Sequence, residues 1–272
     1  LQLLTNTISN HNALQLTMRK SFTGGFLLQG HYTWSKTLGN GDSTSPSTLN
    51  NTSATLMDIT DLDRDYGFSA YDQRHSFVLN SRYLLPFGNL LQSRLARAVI
   101  GGWEVNGILK AGSGFPVNIV TGFNNSLNGD ATDPDRPNLN PGFSNNPTQG
   151  TTAGCGGGTI KSGQKLGTPD LWYDPCAFSL PLAGTFGNLA KNAVIGPGQF
   201  TVDFTLAKKF PVKEGMDVEF RAEAFNILNR ANFDIPNNNA FNADRTVNGA
   251  AGRITATQAD NRQIQLGLKL IF

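Results

Sequence analysis

The last residues of the chain, Arg262 to Phe272, alternate strictly. Ile264, Leu266, Leu268, Leu270 and Phe272 share one face of an extended backbone, and Gln263, Gln265, Gly267 and Lys269 share the other. A period of two defines a single strand, and about nine to eleven residues is what a tilted strand needs to cross a bilayer. The same alternation would serve a strand covering one side of a soluble sandwich, so the other strands must decide.

Only 39% of the 272 residues are apolar, mean hydropathy is −0.26, and no apolar run is long enough for a membrane helix. Neither fact weighs against a membrane barrel, whose strands are apolar at every second position only. A net charge of +2, with 22 basic residues scattered along the chain, gives no basic stripe, so nucleic acid is not an expected partner. The chain opens on Leu1 with no initiator Met, basic segment or apolar signal core, and reads as a fragment of a longer precursor.

Six further segments alternate in the same way: Asn12 to Lys20, Gly25 to Lys36, Gln73 to Leu85, Gly102 to Thr121, Gln199 to Phe210 and Asp217 to Leu228. The fourth carries a Gly112-Ser-Gly114 kink before Val117 and Ile119, which predicts one long strand with a bulge. The connections are short (Ser21 to Gly24), long (Thr37 to Asp72), intermediate (Pro86 to Gly101), very long (Gly122 to Gly198), short (Pro211 to Met216) and long (Asn229 to Asn261). Tight turns at one end and long loops at the other are the mark of outer-membrane barrels. Loops beyond about 15 residues are uncommon in compact soluble domains.

Side-chain placement agrees. Phe26 falls near one end of its strand and Tyr32 with Trp34 near the other, as interfacial aromatic girdles require. Phe26 and Trp34 are about 27 Å apart along a strand and roughly 19 Å apart along the normal at a 45° tilt. Arg19, Arg82, Glu104, Lys110, Asp203, Glu219, Arg221, Glu223 and Lys269 all share the polar register; a cation turned to lipid at midplane would cost about 2 to 4 kcal/mol. Lys208 is the exception, near enough to a strand end to snorkel. Mixed signs predict an ion-paired wall and no ion-selective ring.

Glu223-Ala-Phe-Asn-Ile-Leu-Asn-Arg-Ala-Asn-Phe233, Asp72-Gln-Arg-His75, Tyr32-Thr-Trp-Ser-Lys36 and the terminal Phe272 together resemble TonB-dependent outer-membrane receptors, above all the Oar-like subgroup. The resemblance covers essentially the whole chain. It implies that residues 1–272 are the C-terminal part of a 22-stranded barrel, with the plug and the TonB-contacting box in a missing N-terminal region. It further implies that the Phe-terminated strand, Ile264 to Phe272, is read by the barrel-assembly machinery, and that outer-membrane lipid, the TonB complex and an unidentified extracellular ligand are partners. The expected fold is all-β: an antiparallel transmembrane β-barrel segment of about seven up-and-down strands with short periplasmic turns and long extracellular loops. Its two unpaired edges should make the fragment aggregate when expressed alone. A secreted all-β adhesion module and a passive porin-like channel are the competing readings.

Cys155 and Cys176 lie in the longest loop, where an oxidising compartment favours a disulfide that closes about 22 residues and contributes about 3 kcal/mol. His11, His31 and His75 lack metal spacing. Asp58, Asp61, Asp63 and Asp65 crowd one loop; Asp61, Asp63 and Asp65 are weak calcium candidates, but no EF-hand glycine or closing Glu follows. The alternative is a solvated acidic loop partnered by Arg64 and Arg74. No nucleophile elbow or phosphate-binding loop occurs. Glu219 and Glu223, separated by Arg221 on one strand, read as wall residues in preference to a glycosidase pair. No catalytic residue and no cofactor is expected, and the ligand-binding residues are not legible.

Overall fold

The computed structural model describes residues 7–22, 24–40, 56–87, 92–129 and 135–272. Leu1, Thr23 in the first turn, and parts of the connections Thr37 to Asp72, Pro86 to Gly101 and Gly122 to Gly198 lie outside the described residues.

In chain order the elements are β1 (Ser9–Phe22), β2 (Phe26–Gly39), β3 (Gly67–Phe68), β4 (His75–Leu84), α1 (Arg94–Ile100), β5 (Trp103–Gly112), β6 (Pro116–Val117), β7 (Asn138–Leu139), β8 (Phe178–Ser179), β9 (Val194–Ile195), β10 (Gln199–Lys213), β11 (Met216–Phe225) and β12 (Gln263–Ile271). Seven long strands form one antiparallel up-and-down sheet in the order β1-β2-β4-β5-β10-β11-β12, with β3 added to the end of β2. All seven expected strands are present and in the expected order. β1 and β12 each pair with one neighbour only among the described residues.

Register makes the two faces continuous. One row runs Phe22, Phe26, Tyr83, Val105, Leu206, Ala222, Leu266 across all seven strands; the adjacent row runs Ser21, Leu27, Arg82, Asn106, Thr205, Glu223, Gln265. Because directly paired residues point to the same side, the alternation in each strand sums to one apolar face and one largely polar face. Among the described residues no protein layer covers the apolar face of β1 or β12, and Leu268 is 78% exposed.

The close-packed core lies elsewhere, in the long connections. Val117 and Ile119 pack with Tyr173, Phe178, Leu189, Val194, Ile235 and Phe241 in a cap at the long-loop end. This corrects the fourth strand. It leaves the sheet at Gly112, and Val117 is fully buried in the cap, where β6 pairs with β9. The cause is a backbone crossing: a Cβ on Gly114 would collide with the carbonyl of Gly196, and one on Gly198 would stand 2.8 Å from the carbonyl oxygen of Gly112. Only glycine permits that approach. The sixth strand also stops early, at Phe225, because Asn226 adopts φ 47°, a left-handed conformation that Asn tolerates better than other side chains.

Candidate functional site

The polar face carries paired charges. Arg82 Nη2 lies 2.6 Å from Glu104 Oε2, and Asn106 donates to Glu104 Oε1 at 3.0 Å. Arg221 reaches Glu219 at 3.5 Å and Glu223 at 3.3 Å, and the Gln265 amide donates to Glu223. His31 bridges Thr17 at 3.1 Å and Gln29 at 3.0 Å. Each exposed pair stabilises by less than about 1 kcal/mol, so this lattice contributes order and balanced polarity more than stability. At the loop end of this face, Gln73, Ser76, Lys110, Gln199 and Thr201 line a cavity of ≈ 190 Å³.

The cap over that end is held by named interactions. Arg136, 2% exposed, sets Nη1 2.6 Å from Asp65 Oδ1, donates through Nη2 to the Arg64 carbonyl and through Nε to the Leu189 carbonyl. The second Asp65 oxygen accepts the Met57 N–H at 2.8 Å. Cys155 and Cys176 form a disulfide. Beside it, Asp174 accepts from Thr152 Oγ1 at 2.7 Å and from the Cys176 N–H at 3.0 Å. Tyr173, wholly buried, donates to the Asn237 carbonyl at 2.8 Å, and burial pushes its phenol well above the ordinary range. Among the described residues, Asn125 Oδ1 and Asp135 Oδ1 are buried acceptors without a donor.

The three calcium candidates are not brought together. Asp65 is turned inward to Arg136, Asp61 Oδ2 sits 3.1 Å from Arg64 Nε, and the Asp63 carbonyl accepts the Tyr66 N–H. Among the described residues no group of three or more His, Cys, Asp or Glu side chains could hold a metal. The alternative reading also needs correction: Arg64 does partner Asp58 and Asp61, but Arg74 pairs with Asp72, and Asp65 is not solvated. Burial opposes ionisation of Asp58, yet hydrogen bonds from Thr60 and the Arg64 charge outweigh it and hold the carboxyl below its usual value.

Phe26 joins an inner aromatic row, 5.3 Å from Phe22 and 5.7 Å from Tyr83, with Trp103 against Phe220 further along. Tyr32 stacks on His75 and shares a 2.8 Å hydrogen bond with its Nδ1, while Trp34 remains 49% exposed at the loop end. Lys208 does not snorkel. Its side chain is buried at the C-terminus of α1, where Nζ donates to the carbonyls of Ala98, Val99 and Gly101 and lies 4.8 Å from the Phe210 ring centre. Lys20 and Lys36 also face the apolar side, one near each end of the sheet; the alternation of their strands placed them there without their being singled out.

The asparagines of Glu223 to Phe233 have specific tasks. Asn226 donates its N–H to Asp203 Oδ1 and its amide to the carbonyls of Arg230 and Asp260, tying the exit of β11 to β10 and to the approach of β12. Asn229 Oδ1 accepts the Arg262 N–H, and buried Asn232 accepts the Phe200 N–H at 2.7 Å. Ile264, Leu266, Leu268 and Leu270 lie on β12, paired with β11 from Gln263 to Ile271, and Phe272 is exposed beyond it.

A family model described as an outer membrane beta barrel domain matches residues 1–265. Neither a curated protein nor a solved structure matches the chain. With an apolar face whose only charges are lysines near the ends of the strands, and with the remaining strand charges on the opposite face, the chain belongs to the outer membrane beta barrel domain family, resident in the outer membrane of Gram-negative bacteria.

Proposed function

We propose that this chain is the C-terminal strand-and-loop portion of a TonB-dependent receptor-type barrel, similar to the Oar-like subgroup, that binds or takes up a scarce nutrient. The observation that supports this most is the folded cap. Long connections with their own core, buried ion pair and disulfide form a cap at the long-loop end of the sheet, an arrangement suited to ligand recognition from outside. In this reading the ligand contacts cap residues first, and a plug in the missing N-terminal region rearranges when the TonB complex pulls on it. The exposed β12 edge and Phe272 serve as the segment engaged by the barrel-assembly machinery. The chain itself supplies binding and passage, with no catalytic residue or cofactor.

Liposome swelling with the full-length parent protein tests this against a passive channel. A plugged receptor leaves arabinose and raffinose excluded, so vesicles do not swell beyond protein-free controls. Rapid swelling with arabinose would identify an open pore and end the receptor reading.

A further inference from the structure

We infer that the loop end of the apolar face holds a binding site for a phosphorylated lipid of the outer leaflet, built on Lys36 and Arg74. Lys36 pairs with Asn12 and shares its face with Trp34 and Leu14, so it emerges on the lipid side just above the aromatic level. Arg74 immediately precedes β4 and converges on the same place: the Lys36 ammonium is 5.8 Å and the Arg74 guanidinium 5.6 Å from the centre of the single Phe68 ring. Asn12, Leu14, Trp34, Lys36 and Arg74 line an open cavity of ≈ 400 Å³.

The local charge is positive. Among the described residues Asp72 is the one carboxylate in contact, 3.4 Å from Arg74 Nη2, and its other oxygen already accepts the Thr37 N–H at 2.6 Å. Two cations against one carboxylate, among the described residues, leave an excess that suits a phosphate, for which guanidinium offers a fork of donors and ammonium a point charge. Below this position Leu14, Leu16 and Met18, each more than half exposed, run down the same face of β1. They span about 14 Å of strand, a track for an acyl chain. An anionic head with hydrocarbon attached satisfies both halves of the site; a free anion satisfies only one. Lys20 supplies an internal control, since it faces the same side near the opposite end with only the Phe22 ring, at 5.6 Å, as its cation partner among the described contacts.

The test uses the parent protein in nonionic detergent, with dilauroyl phosphatidic acid, dilauroylglycerol and inorganic phosphate as probes, read by retained adducts in native mass spectrometry and by the thermal unfolding midpoint. Phosphatidic acid should bind and raise the midpoint, whereas the other two should not. K36Q and R74Q should each weaken apparent affinity at least about fivefold and K20Q should leave it unchanged. K36Q alters an exposed side chain, so it remains decisive even if R74Q folds poorly. Equal responses to dilauroylglycerol, a matching response to inorganic phosphate alone, or undiminished binding by K36Q would each overturn the site.

Discussion

Arg136 and Asp65 form a buried ion pair, 2.6 Å from nitrogen to oxygen, that joins two connections far apart in sequence. Each partner is also hydrogen-bonded to backbone, so neither has charge to spare for solvent or metal. Arg136→Ala strands the Asp65 carboxylate and should destabilise the cap by about 3 to 5 kcal/mol. Hydrogen exchange on the parent protein would register this as lost protection around residues 57–66 and 117–121, with strand protection kept. Unchanged cap protection would show that the pair does not hold these loops together.

Opening the disulfide should act on the neighbouring part of the cap. Replacing Cys155 and Cys176 by Ser is expected to cost about 3 kcal/mol of local stability, measured as earlier protease cleavage between residues 155 and 176. In the native protein neither thiol should react with an alkylating reagent before reduction.

Lys208 holds α1 to the sheet through three carbonyls. Lys208→Met keeps the side chain's bulk but leaves those carbonyls without their charged donor, so unfolding in urea should shift by about 2 kcal/mol. Proteolytic nicking within residues 92–101 should increase at the same time. A variant as resistant as the wild type would mean that the helix docks without the ammonium.

Opposite faces of β12 should answer differently to the same substitution. Leu266→Arg turns a cation to hydrocarbon and should reduce folding into vesicles by about 2 to 4 kcal/mol. Gln265→Arg, one residue away on the charged wall beside Glu223, should change it by less than about 1 kcal/mol. Equal penalties would contradict the assignment of faces.

The acidic loop should carry a pH signature. Asp58 titrates below its usual value in the folded protein, so its contribution is present above the unfolded value of about 3.9 and is lost as pH falls through the lower folded one. Asp58→Asn should therefore reduce exchange protection of residues 58–66 at neutral pH, and the difference from wild type should close as the pH is lowered and the Asp58 carboxyl takes up its proton. A constant difference across that range would assign the effect to something other than the charge.

The sheet was legible because lipid and lumen impose opposite chemistry on alternate residues. Leu266 and Gln265 need no tertiary information to be assigned to opposite faces, and loop lengths supplied the orientation. The cap was not legible. Val117 and Ile119 continue the alternation of β5 perfectly well, and what removes them from the sheet is a backbone crossing between residues distant in sequence, Gly114 and Gly196. Lys208 was misplaced for a related reason: nothing near it in sequence announces that α1 will bring carbonyls to its ammonium. Asp65 read as one acid among four, since its partner Arg136 belongs to another loop.

The glycine crossing at Gly114 and Gly196 has a consequence for how such proteins diversify. It gathers the departure and return of the largest excursion into one narrow neck, with β5 and β10 already zipped together beneath it. The segment beyond the neck is nonetheless knitted to the other long connections, through Arg136 to Asp65 and through Tyr173 to Asn237. Change between those glycines therefore has to preserve the partners of Asp65 and Asn237, while the stagger of the wall below is set independently by the pairing of β5 with β10.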